Sequence, residues 1–112
     1  RTISNGEYTI SGPIYTGTRC YMGRTVLFDI GAARIVVTEQ TQEPWDLGVF
    51  TCVGLEPVRE RYLILKSRMY YRPVFGPLAA TIIECASAGV CSSDFSLFDY
   101  RHVRRPIYPL TG

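Results

Sequence analysis

A continuous apolar run, Tyr62–Leu65, is the feature that most constrains the fold of this chain. Its residues do not alternate with polar ones, which is typical of a strand buried on both faces, in the middle of a sheet that helices cover. Lys66, the only lysine in the chain, and Ser67 follow directly. Because ligands bind beyond the carboxyl ends of strands in open α/β sheets, we expect Lys66 and Ser67 to lie at a site.

Two more apolar runs, Arg34–Thr38 and Ala80–Cys85, predict strands before and after Tyr62–Lys66. Between the first two, Pro44–Val53 predicts a short amphipathic helix, with a proline start and Trp45 on its core-facing side. Strand–helix–strand crossovers are parallel and right-handed, so these elements predict a βαβαβ unit.

The second crossover contains two prolines. Pro73 suits a helix start, but Pro77 would clash with the carbonyl of Pro73 inside a continuous helix. The sequence leaves open whether this helix is a single turn or begins near Gly76.

An antiparallel hairpin is predicted ahead of the parallel unit. The strands Arg24–Ile30 and Arg34–Thr38 flank a tight reversal at Gly31–Ala33. The predicted fold class is therefore α/β, a mixed sheet in which antiparallel hairpin strands precede a parallel βαβαβ unit. We expect a single small domain over residues 1–112, which is the usual size of one folding unit.

Charge and hydropathy exclude two classes of partner. Twelve basic and ten acidic residues leave a net charge of +2, too small an excess for a nucleic-acid-binding face. No apolar run approaches the roughly 20 residues that span a bilayer. The chain begins at Arg1 without a signal-peptide core, so we expect it to be one domain of a longer protein.

Cysteine and histidine are too few and too scattered to predict a metal site in this chain. Cys20, Cys52, Cys85 and Cys91 include no C-x-x-C pair, and His102 is the only histidine. Reduced thiols are the simplest interpretation, and they predict a cytoplasmic protein.

Three strand ends should meet at one edge of the predicted sheet: Thr38–Glu39, Lys66–Ser67 and Cys85–Ala86. A lysine, two hydroxyls and a carboxylate converging there would suit an anionic or peptide-like ligand. The alternative is that Lys66 pairs with Glu39 or caps a helix, and that Ser67 belongs to a turn. Composition and spacing alone favour this alternative.

Other polar residues have simpler interpretations. Asp46 and Asp94 stand where helices are predicted to begin, so capping is their expected role. Arg101, Arg104 and Arg105 could clamp a phosphate, but such a tail more often pairs with acids across an interface.

Three stretches together resemble a known family. They are VVTEQTQEPWDLGVFTCVGLEPVRERYLILKS, YYRPVFGPLAATIIE and RHVRRPIYPL. Their combination is similar to the C-terminal domain of the MlrC (microcystinase C) family, regarded as zinc metallopeptidases. The similarity runs from about Gly6 to Ile107.

The resemblance implies a role for the chain. In that family the zinc-binding histidines and acids belong to a larger N-terminal domain, so zinc is expected there and no cofactor is expected here. This chain would then be an accessory domain that packs on the catalytic domain and walls its substrate cleft. The positions carried over are Thr38, Lys66, Ser67 and Arg72 for the cleft, and the Arg104–Arg105 tail for the interface.

Two departures from the family pattern bear on specificity. Tyr70–Arg72 stands where the family has a histidine-aromatic-arginine triplet, and Gln40 and Thr41 stand where it often has basic residues. The alternative function is a stand-alone ligand-binding or oligomerisation module without catalytic activity. The partners considered are the N-terminal catalytic domain, a peptide-like substrate and a second copy of the chain.

Overall fold

The computed structural model describes residues 2–86, 92 and 94–110. The chain divides into two compact units, Arg1–Ile82 and Ile83–Gly112. In the described residues, the first unit contains short strands, two single-turn α-helices and two 3-10 turns. They are β1 (Thr2–Ser4), β2 (Glu7–Thr9), β3 (Arg19–Tyr21), β4 (Thr25–Asp29), β5 (Arg34–Thr38), α1 (Gly48–Thr51), α2 (Arg72–Phe75) and the turns Pro57–Arg59 and Gly76–Leu78.

The predicted antiparallel hairpin is confirmed. β4 pairs with β5, and β1 pairs antiparallel with the other edge of β4, which gives the order β1-β4-β5. The reversal is closed by a hydrogen bond from Ile30 N to Ala33 O at 3.0 Å. Gly31 takes a left-handed φ of 80° there, a conformation that glycine adopts without strain. A second ladder joins β2 to β3.

The core lies on one face of the β1-β4-β5 sheet. Residues opposite each other in an antiparallel pair share a face, so Leu27 and Val36 point the same way. Against them pack α1 and α2, whose Phe50 and Phe75 rings meet edge to face at 5.9 Å. The buried core consists of Met22, Leu27, Val49, Phe50, Val53, Leu55, Val74 and Phe75.

The first helix is shorter than predicted. α1 spans only Gly48–Thr51, because the Pro44–Asp46 segment ahead of it is used for contacts with other loops. Its C-terminal stop is Gly54, with a φ of 75°. Gly54 N donates to Thr51 O at 2.9 Å and Leu55 N donates to Phe50 O at 3.2 Å, the bond pattern of a Schellman motif.

The two prolines of the second crossover occupy two successive turns. Pro73 lies at the start of α2, and Pro77 lies at the start of the 3-10 turn Gly76–Leu78. Neither position needs a backbone N–H donor. No helix among the described residues is long and apolar enough to cross a membrane.

The predicted α/β fold class is wrong, because the described residues contain no parallel βαβαβ unit. All strand pairs found there are antiparallel, and neither Tyr62–Lys66 nor Ala80–Cys85 joins a ladder. Single-turn helices are too short to cover a sheet as crossovers. Leu63 and Leu65 pack against the core, whereas Ile64 is 95% exposed. The run is continuously apolar because the side chains that point outward are apolar, as are those that pack against the core.

The second unit contains one described helical turn, the 3-10 turn Phe95–Leu97. Asp94 caps it by accepting a hydrogen bond from Ser96 N at 3.0 Å, as predicted for this aspartate. The Ser96 hydroxyl and N–H hold the pKa of Asp94 below its usual value. Ser93, directly before Asp94, lies outside the described residues.

Gly48 determines how closely α1 approaches β2. A Cβ at this position would lie 2.0 Å from Cδ2 of Tyr8, far inside van der Waals contact. We therefore expect Gly48→Ala to destabilise the fold by about 1–3 kcal/mol, because the helix and the strand must separate. Urea unfolding measures the change.

Thr51→Ala is the matched control for this prediction. Thr51 lies in the same helix, and its side chain is exposed. Its stability should stay within about 0.5 kcal/mol of the parent. Equal effects of the two substitutions would contradict the close approach of α1 to β2.

Candidate functional site

Three loops of the first unit meet beside the predicted Lys66–Ser67 site. The Ser67 hydroxyl donates a short hydrogen bond to the carboxylate of Glu43. Trp45, close to Glu43 in the sequence, and Tyr70, close to Ser67, pack edge to face with ring centroids 6.2 Å apart. Tyr15 completes an aromatic cluster, since its ring lies 5.7 Å from that of Trp45. The aromatic cluster is Tyr15, Trp45 and Tyr70.

The buried carboxylate of Asp46 holds two of these loops together. Its Oδ2 accepts hydrogen bonds from Ser11 N at 3.0 Å and from Gly12 N at 2.8 Å. Its Oδ1 accepts from Gly48 N at 2.7 Å, at the start of α1. Asp46 is only 1% exposed, so these charge-assisted bonds replace its hydration. The loop that carries Tyr15 is thereby fixed against the loop that carries Trp45.

Gly12 and Tyr15 show how tightly the first of these loops is folded. A Cβ at Gly12 would lie 2.7 Å from Cγ2 of Val74 and 3.1 Å from Oδ2 of Asp46. Tyr15 has a φ of 60°, which a tyrosine adopts at a cost of about 1 kcal/mol or more. Despite that strain, its ring is largely exposed beside Trp45. The loop therefore presents an aromatic side chain to solvent.

The cleft candidates predicted from the sequence are only partly brought together. Ser67 is half-buried and bonded to Glu43, and Lys66 beside it is exposed. Thr38 lies at the end of β5, where its hydroxyl donates to Gln40 O at 2.8 Å and serves its own turn. The guanidinium of Arg72 lies over the ring of Tyr71, 5.4 Å from its centroid.

Glu39, which the sequence offered as a partner for Lys66, pairs with Arg24 instead. Arg24 donates from its guanidinium to Oε1 at 3.0 Å and from its backbone N to Oε2 at 2.9 Å. These bonds hold the pKa of Glu39 below its usual value. Within the described residues, Lys66 makes no hydrogen bond or ion pair, so its ammonium is available to a ligand.

The arginines of the tail belong to the second unit. Arg101 forms an exposed ion pair with Asp99 at 2.6 Å. Arg104 and Arg105 line a surface depression with Pro106 and Ile107. Their role at an interface stays a prediction.

The described residues do not form a zinc site. Nowhere in residues 2–86, 92 and 94–110 do three or more histidine, cysteine, aspartate or glutamate side chains come together as metal ligands. The described cysteines, Cys20, Cys52 and Cys85, are free thiols. Burial raises the pKa of Cys52, which keeps its thiol neutral at the edge of the core.

Sequence reasoning missed Glu43 and Tyr15 and misassigned Trp45. Glu43 looked like one of several polar loop residues, and its bond to Ser67 links positions 24 residues apart. Trp45 was predicted on the core face of a helix but lies in the aromatic cluster ahead of α1. Asp46 accepts a hydrogen bond from an N–H at the start of a helix, as predicted. Its bonds to Ser11 and Gly12 could not be predicted, because those residues lie far from Asp46 in the sequence.

Comparison with known proteins decides the family. The profile described as MlrC C-terminus matches residues 1–102. The chain belongs to the MlrC C-terminal domain family. Microcystinase C of a Sphingomonas species is 30% identical over 93 residues, which cover 83% of this chain and 18% of that protein. The chain thus spans less than a fifth of the length of this relative, and the resemblance noted in the sequence is confirmed.

The substitution Asp46→Asn tests whether this carboxylate holds the loops of the site together. In Asp46→Asn one oxygen becomes an amide N–H₂ that faces backbone N–H donors, so at least one buried hydrogen bond is lost. We expect a loss of about 2–3 kcal/mol in the free energy of unfolding. Urea denaturation measures it.

Asp29→Asn is the control for this substitution. Asp29 is exposed and accepts a single bond from Gly31 N at 2.8 Å, which an asparagine carbonyl can replace. Its stability should change by less than about 0.5 kcal/mol. A mild effect of Asp46→Asn, similar to that of the control, would show that the carboxylate does not hold the loops.

Proposed function

We propose that this chain is the C-terminal accessory domain of a larger zinc-dependent hydrolase of peptide or amide bonds. In this proposal it packs on the catalytic domain and lines its substrate cleft. The observation that carries the proposal is family membership combined with length. The family is described as a C-terminus, and the chain matches only 18% of Microcystinase C. Most of such a protein, including its catalytic residues, would lie outside this domain.

The proposal places the catalytic metal outside this domain. A catalytic zinc polarises a carbonyl and lowers the pKa of its bound water, and it needs about three protein ligands to do so. The described part of this chain offers no such set. In the proposal, zinc binds in the remainder of the polypeptide, and this domain contributes binding and orientation.

Lys66 and the aromatic cluster are suited to binding. The Lys66 ammonium is exposed beside Ser67, whose hydroxyl is oriented by its bond to Glu43. A lysine there can pair with a carboxylate or a carbonyl oxygen of a peptide-like substrate. Tyr70 stands where the family has a histidine, and its ring packs on Trp45. This supports an aromatic contact with substrate at that position.

A second candidate is a stand-alone binding or oligomerisation module without catalytic activity. The exposed apolar side chains of Tyr62 and Ile64 favour a covering partner of some kind, and a second copy would serve. The reading frame upstream of Arg1 separates the candidates. A long preceding region with an Asp-x-His motif and further histidines supports the hydrolase, and a start codon just before Arg1 contradicts it.

Lys66→Ala in the full-length protein tests the proposed contact with substrate. We expect KM to rise about tenfold with kcat unchanged, because the lysine binds substrate and transition state alike. Steady-state kinetics on a peptide substrate measures both constants. Arg59→Ala is the control, since Arg59 is also exposed and basic but lies in the Pro57–Arg59 turn. Unchanged KM in Lys66→Ala would leave the residue without a role in binding.

The isolated 112-residue chain tests where the metal lies. We expect elemental analysis after zinc loading and desalting to find no stoichiometric zinc, and assays to find no peptidase activity. Stoichiometric zinc in this chain would contradict the assignment of the metal to another domain.

A further inference from the structure

The face of the β1-β4-β5 sheet that points away from the core is apolar. By the strand register, Ile3, Val26 and Val37 lie side by side on this face, and Ile35 lies further along β5. Ile3 is 61% exposed and Val37 is 47% exposed. We call the residues on this side of the sheet the outer face.

The segment Arg61–Ser67 is anchored by side-chain bonds to residues at the start of β5 and beyond its end. An ion pair between Arg34 and Glu60 fixes one end of the segment near the start of β5. The bond between Ser67 and Glu43 fixes the other end beyond the finish of β5, so the segment follows the direction of that strand. Leu63 and Leu65 point into the core.

The side chains between those leucines point the other way. Tyr62 is 78% exposed and Ile64 is 95% exposed, and because successive side chains of an extended chain alternate, both point away from the core. We include them in the outer face.

The β2-β3 ladder has a solvent-exposed face that serves for comparison. Its exposed side carries Glu7, Thr9 and Arg19, with Tyr21 as the apolar exception. A solvated antiparallel sheet normally alternates in this manner, with polar side chains outward. The outer face breaks that rule at successive positions on β4, β5 and the 61–67 segment. Exposed apolar side chains concentrated in this manner mark an interaction site.

We propose that the outer face is the surface by which this domain docks on the preceding domain of the same polypeptide. This inference rests on the proposed function, and it names the surface that the proposed packing uses. Two observations select this occupant. The matched relative is far longer than this chain, which covers 18% of it. In addition, β1 is an edge strand of this sheet, so any polypeptide preceding Thr2 joins the domain beside Ile3.

Covalent connection at that edge favours docking within the chain. A short tether holds a domain near an apolar face at an effective concentration in the millimolar range. A separate molecule would have to reach a millimolar concentration to meet the face as often. The occupant should therefore present an apolar surface of its own, with few charges at its centre. A second copy of this chain is the competing occupant.

Hydroxyl-radical footprinting of the full-length protein tests the proposal. Tyr62 and Tyr21 are the same residue type and are 78% and 54% exposed in this domain, so Tyr62 reacts at least as fast as Tyr21 if nothing covers it. We expect Tyr62 to be modified about tenfold more slowly than Tyr21, because the centre of an interface excludes water.

Two substitutions identify the surface responsible. Val37→Lys places a charge on the outer face and should restore the reactivity of Tyr62. Leu78→Lys is the matched control, because Leu78 is 49% exposed against 47% for Val37 but follows α2 on the core side of the sheet. It should leave the protection of Tyr62 unchanged.

The outcomes separate this inference from the function it rests on. If the full-length protein contains an active preceding domain and Tyr62 still reacts as fast as Tyr21, only the docking surface is wrong. Protection that disappears on dilution, as the protein dissociates to monomers, assigns the face to a second copy and overturns the proposal. A reading frame without a preceding domain refutes the proposed function itself, before any footprinting.

Discussion

The buried carboxylate of Asp46 is the interaction on which the first unit most depends. It joins the Ser11–Gly12 loop to the start of α1 through hydrogen bonds of 2.7–3.0 Å. A carboxylate leaves water at an acceptable cost only when such donors surround it. Its burial therefore fixes the separation of the two loops. The packing of Trp45 against Tyr15, and the contact of α1 with β2, follow from that constraint.

The second constraint is that the sheet buries only one of its faces. Leu27 and Val36 contribute to a core of a few residues, while Ile3 and Val37 leave their side chains exposed on the other side. A partner that covered the exposed side would stabilise a domain of this kind.

Local features of the fold could be predicted, whereas its tertiary arrangement could not. The β4–β5 hairpin was predictable because the reversal at Gly31–Ala33 is encoded by neighbouring residues, and the stop at Gly54 is equally local. The parallel unit was predicted wrongly, because an apolar run such as Tyr62–Leu65 has the same pattern in a buried strand and in an extended segment whose outward side chains are exposed. Lys66 and Ser67 became candidates through their position after that run, whereas the bond of Ser67 to Glu43 had no local signal, because the two residues lie 24 positions apart.

We propose that the rest of a larger polypeptide covers the exposed side of this domain. Hydrogen–deuterium exchange of the β4–β5 amides, Thr25–Thr38, tests it most directly when the 112-residue chain and the full-length protein are compared. The most slowly exchanging core amides exchange only when the whole unit that contains them unfolds. Contacts that stabilise the unit therefore slow their exchange. The account predicts exchange at least about tenfold slower in the full-length protein. Equal rates in the two proteins would contradict it.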